Sequence, residues 1–180
     1  MKILCLIMII GILSLPIVLL FGNALEVSFD DSGMLSPYLR YGKGDISMFS
    51  EEEQEHLVEV KDFIGIIFIV FVIAMLVFIL SLIYLREKIG LVLVVGGALT
   101  LIALFVIHLL TKNWDSAFTS FHKMFFKTQW QFAEGSLLIK MFPEHVFYNG
   151  FRKIVVNSLI SSVGCIVLGV FLFFRKSKKT

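Results

Sequence analysis

Four apolar runs dominate the chain and leave it one environment. Residues 3–21, 63–85, 89–111 and 154–174 contain no Lys, Arg, Asp or Glu. As helix, each is long enough to cross a hydrocarbon core of about 30 Å. Backbone groups in lipid must pair within their own segment, so these runs are expected to be helices rather than strands. Hydrophobic residues make up 58% of the 180, with 19 phenylalanines and a mean hydropathy of +0.91, more apolar surface than a soluble core takes up. The net charge is only +2, so no broad basic surface argues for a nucleic-acid partner. Cys5 and Cys165 fall inside apolar runs without a CxxC spacing, and read as packing residues rather than a redox pair or a zinc site.

The connections set the topology. Arg86-Glu87-Lys88 allows only a tight hairpin between the second and third spans, whereas residues 22–62 and 112–153 form long loops. With four spans the two loops share one side of the bilayer, whichever way the chain inserts. Lys2, Arg86, Lys88, Arg175, Lys176, Lys178 and Lys179 crowd the other side, opposed there by Glu87. Basic residues close to span ends favour the cytoplasm, which places both termini inside and both loops outside. Pro16 is expected to kink the first span locally. Gly22-Asn23-Ala24 resembles a signal-peptide cleavage site, but the apolar stretch before it is longer than a usual signal core and favours a retained anchor. In the fourth span Asn157, Ser161, Cys165 and Gly169 recur every four residues. This is a close-packing face for which Gly96 and Gly97 are the expected partner surface. The expected fold is one all-α membrane domain over residues 1–180: four transmembrane helices and a small extracytoplasmic cap of interfacial helices.

The loops carry the chemistry. The first holds Val27-Ser28-Phe29, Asp30-Asp31-Ser32-Gly33, Pro37 and Gly42-Lys43-Gly44, a turn-rich run with room for short strands. It ends in Ser50-Glu51-Glu52-Glu53, the pattern of a capping box. The helix begun there is expected to run through His56 into the second span, with Glu52 and Glu59 spaced to reach the imidazole. In the second loop Phe118, Phe121, Met124 and Phe125 follow helical spacing, with Lys123 and Lys127 opposite. This predicts an amphipathic helix over residues 116–127, lying in the headgroup layer. Met141-Phe142-Pro143-Glu144 ends a second such piece.

Of the four histidines, His145 reads as a polar tip at the interface, and snorkelling accounts for His108 near the end of the third span. His56 and His122 stand apart, because both lie on predicted helices at one membrane face. Paired imidazoles at one depth can move protons for a reaction at lipid level. No Gly-x-Ser-x-Gly, HExxH or P-loop occurs.

Two stretches resemble the lipoprotein intramolecular transacylases, small four-span membrane proteins of Gram-positive bacteria. One is Glu55-His56-Leu57-Val58-Glu59-Val60-Lys61. The other is Phe121-His122-Lys123-Met124-Phe125-Phe126, followed by Trp130, Leu138-Ile139, Pro143 and Phe147. The sequence departs from the family pattern in having Glu59 where Asp is expected, and only Glu134 for the acidic positions after Trp130. The resemblance implies an O-to-N acyltransferase of the cell membrane, needing no cofactor or metal. Its substrate would be a diacylated lipoprotein, and one ester-linked acyl chain, that at sn-2, would move to the N-terminal cysteine amine. It further implies that His56 and His122 are catalytic, one shuttling the proton and the other orienting the amine or stabilising the oxyanion. His122 is the expected shuttle, although the two roles can be exchanged. Phe121, Phe125, Phe126 and Trp130 would hold the substrate beside membrane lipid, and Glu52 or Glu59 would tune His56. The contrasting reading is a non-enzymatic haem- or metal-binding module using His56, His108, His122 and His145. The oligomeric state is not legible.

Overall fold

The computed structural model describes residues 2–26 and 35–177. Among these residues the regular structure is helical: α1 (Lys2–Glu26), α2 (Ser36–Tyr41), α3 (Glu51–Tyr84), α4 (Ile89–Leu110), α5 (Trp114–Phe125), α6 (Leu137–Met141) and α7 (Glu144–Ser177). The short strands anticipated from Val27 onward fall on residues outside those described; the described part of that loop forms α2 instead. Pro37 opens this helix, and Gly42 closes it in the left-handed region (φ 65°), its N–H reaching Pro37 O and Tyr38 O. Glycine adopts that conformation without a steric penalty.

Among the described residues four helices have the length and composition to cross a membrane: Ile3–Leu25, Glu51–Tyr84, Ile89–Leu110 and Glu144–Arg175. Two of them extend well beyond their apolar runs. α3 begins at the capping box, so the polar residues 51–62 stand as helix ahead of the apolar stretch that starts at Phe63. α7 begins directly after Pro143, whose carbonyl accepts the Val146 N–H (2.9 Å). Pro16 lies inside α1 without ending it. Between α3 and α4 the turn closes through Lys88 N–H to Leu85 O and Val92 N–H to Lys88 O (3.1 Å).

The chain gathers into two compact units. The first comprises Met1–Glu26, Ile69–Leu109 and Ile154–Thr180; the second comprises Val27–Phe68 and Leu110–Lys153. In the first unit, glycines let helix backbones come together. A Cβ on Gly90 would sit 2.7 Å from Gly169 O, and one on Gly169 equally close to Gly90 O. A Cβ on Gly97 would meet Ile166 and Ser162 O, while one on Gly96 would meet Leu15 of α1. The two glycines of α4 thus serve different neighbours, α7 and α1. On α7 the expected stripe is buried at Gly169 and half-buried at Ser161 and Cys165, but toward the start of the span the most buried positions lie one residue along. Ser158 and Ser162 are fully buried, whereas Asn157 is exposed.

Two buried hydroxyls in this unit return to their own helices, Thr100 to Gly96 O and Ser14 to Gly11 O (both 2.9 Å), while that of Ser158 reaches Leu19 O of α1 (3.4 Å). Asn23 bridges α1 to α7, donating to Leu19 O (2.6 Å) and to Ser158 Oγ (3.1 Å). Polar groups away from water need such partners. Leucine in place of Gly169 has no room without separating α4 from α7. We expect Gly169→Leu to cost about 1–3 kcal/mol, the usual range for overpacking. Gly164→Leu serves as control, since a Cβ at Gly164 meets nothing within 4 Å. Thermal denaturation in detergent should separate the two variants.

Candidate active site

In the second unit the capping box forms as the sequence implies. Ser50 N–H donates to Glu53 Oε2 (2.8 Å), and Glu53 N–H donates to Ser50 Oγ (3.3 Å). This fixes the start of α3 one turn before His56 and holds that imidazole on a rigid element. The neighbouring Leu57 packs with Leu35, Tyr38, Phe49, Leu138 and Phe142 in a small apolar core. His56 is only 6% exposed and His122 only 7%, so neither is the polar interfacial tip that a membrane histidine commonly is.

Asn113 begins α5, its side chain accepting the Ser116 N–H (3.1 Å), which places the helix two residues ahead of the expected start. The helix ends where Phe126 turns extended (φ −119°, ψ 140°). That turn swings the Phe126 ring inward, against both imidazoles. The rings of His56 and His122 lie 6.0 Å apart between centroids, inclined by only 25°. Phe126 meets His56 edge-on at 5.0 Å and His122 at 5.3 Å. Trp130 covers His122 at 4.9 Å, Phe118 approaches it at 4.1 Å, and Phe132 stands 5.7 Å from His56.

The two imidazoles differ in their hydrogen bonding. His122 Nδ1 is 2.8 Å from Phe118 O, one helical turn back. A carbonyl only accepts, so the proton of the neutral ring sits on Nδ1 and the lone pair on Nε2. His56 Nδ1 is buried and meets no hydrogen-bonding group among the described residues. Both rings favour the neutral state. Burial lowers the pKa of His56, the proximity of His122 lowers it further, and Glu59 opposes; the result is about 4. Burial also lowers that of His122, with the Phe118 carbonyl opposing. Removal from water disfavours a charged imidazole, which accounts for the leading cause in each case.

Of the two carboxylates expected to serve His56, only Glu59 is placed to do so. Its oxygens accept Lys127 N–H (3.0 Å), Thr128 N–H (3.1 Å) and the Thr128 hydroxyl (2.7 Å). The exit of α5 is thereby fastened one turn from His56. Burial works against the Glu59 charge, but the bonds from Thr128 and Lys127 prevail and hold its pKa down. Glu52 points into solvent.

The four residues assigned to substrate divide by position. Phe126 is buried and Trp130 half-buried beside the histidines. Phe121 and Phe125 are 39% and 49% exposed, packed on Phe63 and flanking Met124, which is 75% exposed. His145 is exposed on α7 and His108 on α4. Among the described residues no group of three or more His, Cys, Asp or Glu is arranged to hold a metal ion. Phe118, Phe132, Thr128 and Glu53, whose Oε1 accepts the Leu138 N–H (2.8 Å), also border the paired imidazoles or hold the segment beside them, beyond the residues the sequence singles out for the site. Of these, only Phe118 carried a sequence signal, its spacing of four from His122.

Residues 36–147, more than half of the chain and all of the histidine site, match the family described as lipoprotein intramolecular transacylase Lit. The chain belongs to this family. Among solved structures it is similar to that of the membrane integral lipoprotein intramolecular transacylase Lit from Bacillus cereus, with a TM-score of 0.89 and 21% identity over 98% of this chain and 99% of that one. Two structures of the same Bacillus cereus protein, with a histidine replaced by arginine or by alanine, align with TM-scores of 0.85 and 0.83. Each is 20% identical, covering 99% and 98% of this chain and 96% of the other. Identity at this level speaks to a shared fold, that of a membrane-integral transacylase. No curated protein matches the chain.

Proposed function

We propose that this transacylase moves one ester-linked acyl chain, that at sn-2, from the glycerol of a diacylglyceryl-cysteine lipoprotein to the α-amine of the same cysteine. The observation that carries the proposal is the buried pair of imidazoles His56 and His122, set among aromatic rings within a match to this family. In the reaction the amine nitrogen attacks the ester carbonyl and a C–N bond forms. The C–O bond to glycerol then breaks, and one proton passes from nitrogen to the departing oxygen. The product carries an amide on nitrogen and a hydroxyl on glycerol.

Nitrogen and ester belong to one molecule, and the attack closes a ring of about eight atoms, so correct folding of the substrate supplies much of the rate. The amine has a pKa of about 8, and part of it is neutral near pH 7. The harder demand is a proton for the leaving alkoxide. His122 is assigned as the shuttle, because its bonded Nδ1 leaves Nε2 as the proton acceptor. His56 Nδ1 is assigned to the substrate, orienting the amine or stabilising the oxyanion. Phe121, Met124 and Phe125 present an apolar face suited to acyl chains arriving sideways from the bilayer. Purified protein in liposomes with a synthetic diacyl lipopeptide tests the proposal. The expected product retains one chain through mild alkaline hydrolysis, as an amide does; loss of both chains would refute it.

The site is assigned to the extracytoplasmic face and both termini to the cytoplasm, from the basic residues near the span ends. Cysteine placed at Ser47 or Gln131 should therefore react with an impermeant thiol reagent on whole cells, and cysteine at Glu87 only after lysis.

A further inference from the structure

Two carboxylates of α3 flank His56, Glu53 three residues before it and Glu59 three after, and they hold opposite ends of one short segment. Glu59 accepts the N–H groups of Lys127 and Thr128. Glu53 divides its two oxygens: Oε2 takes Ser50 N–H in its own capping box, and Oε1 takes Leu138 N–H (2.8 Å), 85 positions along the chain. Glu53 is 3% exposed. A carboxylate so buried is costly unless its oxygens are bonded; burial raises its pKa, and the bonds from Leu138, Ser50 and Ser136 outweigh that and keep it charged. Between the two fastened ends lie residues 129–135. This stretch carries Trp130, 4.9 Å from His122, and Phe132, 5.7 Å from His56. It has no regular secondary structure, so its ends and ring contacts fix its position.

We propose that residues 129–135 are a strap across the paired imidazoles, and that Glu53, together with Glu59, is a positioning residue pinning the strap at both ends. The proposal rests on the catalytic reading of His56 and His122. Glu53 touches neither reacting group; it acts by keeping Trp130 and Phe132 seated, which sets the space left for the glycerol and the cysteine amine. Both ends are needed. A segment released at either end is free to lift both rings, so the second release adds little to the first.

The test uses full-length protein in lipid nanodiscs, with Glu53→Gln, Glu59→Gln, the double variant, Ser50→Ala and His122→Asn. Glutamine suits the capping-box position but replaces one accepting oxygen by an NH2 donor; with its oxygen kept on Ser50 N–H, the Leu138 N–H loses its acceptor. Hydrogen exchange of residues 129–135 should accelerate at least about tenfold in Glu53→Gln, as local opening no longer breaks that bond. Turnover at saturating substrate should fall by roughly 10- to 100-fold, the scale of a misplaced site. The double variant should be no worse than about its weaker parent, as members of one network are not additive. Ser50→Ala weakens the same helix start but leaves both N–H partners of the Glu53 carboxylate in place, and should leave exchange of residues 129–135 near normal. Unchanged exchange in Glu53→Gln, multiplied losses in the double variant, or equal loosening by Ser50→Ala would each overturn the strap. His122→Asn tests the catalytic reading separately. If that variant stays active the reading falls, while the exchange data still decide whether the strap is pinned.

Discussion

His122→Asn should lower acyl transfer by roughly 10²–10⁴-fold, the range for removing a general acid–base group, while leaving the protein folded and inserted. Asparagine can still donate to Phe118 O in place of Nδ1, but it has no basic nitrogen where Nε2 stood. Substrate affinity should change little, so the loss belongs in turnover. The pH dependence of the unmodified protein adds a second signature. In the proposed mechanism the working base is the neutral imidazole, so turnover should fall as pH drops through the folded pKa. Because burial lowers that pKa in His122, as in His56, the acid limb should lie below the ordinary histidine value of about 6.5. A limb near pH 8 in kcat/KM would belong to the substrate amine. Turnover within a few-fold of normal for His122→Asn, or an acid limb above pH 7 in kcat at saturating substrate, would remove His122 from the role.

Phe126→Ala should be the most damaging change that leaves both histidines in place. The ring is 8% exposed and touches His56, His122, Phe63 and Phe121. Truncating a buried phenylalanine typically costs about 3–5 kcal/mol. Here it also empties the space that fixes the distance between the two imidazoles. Phe126→Leu, which keeps most of the volume, should recover most of the thermal stability. If turnover follows stability across the two variants, Phe126 is a packing residue alone. If Phe126→Leu is stable yet still slow, the aromatic ring itself spaces the histidines.

What the sequence disclosed depended on range. The four spans were legible because runs without charge have one solution in lipid, and the start of α3 because Ser50 and Glu53 satisfy each other locally. Amphipathic spacing located α5 to within two residues; Asn113 capped it earlier than the apolar pattern alone suggests. His56 and His122 were picked out by their common membrane side and by the family resemblance, not by any pattern linking positions 56 and 122. Glu52 and Glu59 looked equivalent because a helix surface offers both the i−4 and the i+3 position. The choice between them is made by Lys127 and Thr128, far along the chain. The bond from Leu138 to Glu53 was illegible for the same reason: local pattern has no term for a contact across 85 residues. On α7 the period of four reaches Gly169, which meets Gly90 of α4, but its first position lies one residue off the buried face. Ser158 and Ser162 fit against α4 and α1, while Asn157 does not.

The most direct measurement of the central claim is mass spectrometry of one lipoprotein's N-terminal peptide, from cells with and without this protein. The account predicts that cells making the protein yield a lyso form, with fragment ions placing one acyl chain on the cysteine nitrogen and one on glycerol. Cells lacking it, or carrying His122→Asn at equal membrane levels, should keep both chains on glycerol and a free amine. An unchanged diacyl peptide in the presence of the inserted protein would contradict the account, as would N-acylation with both glycerol esters still in place.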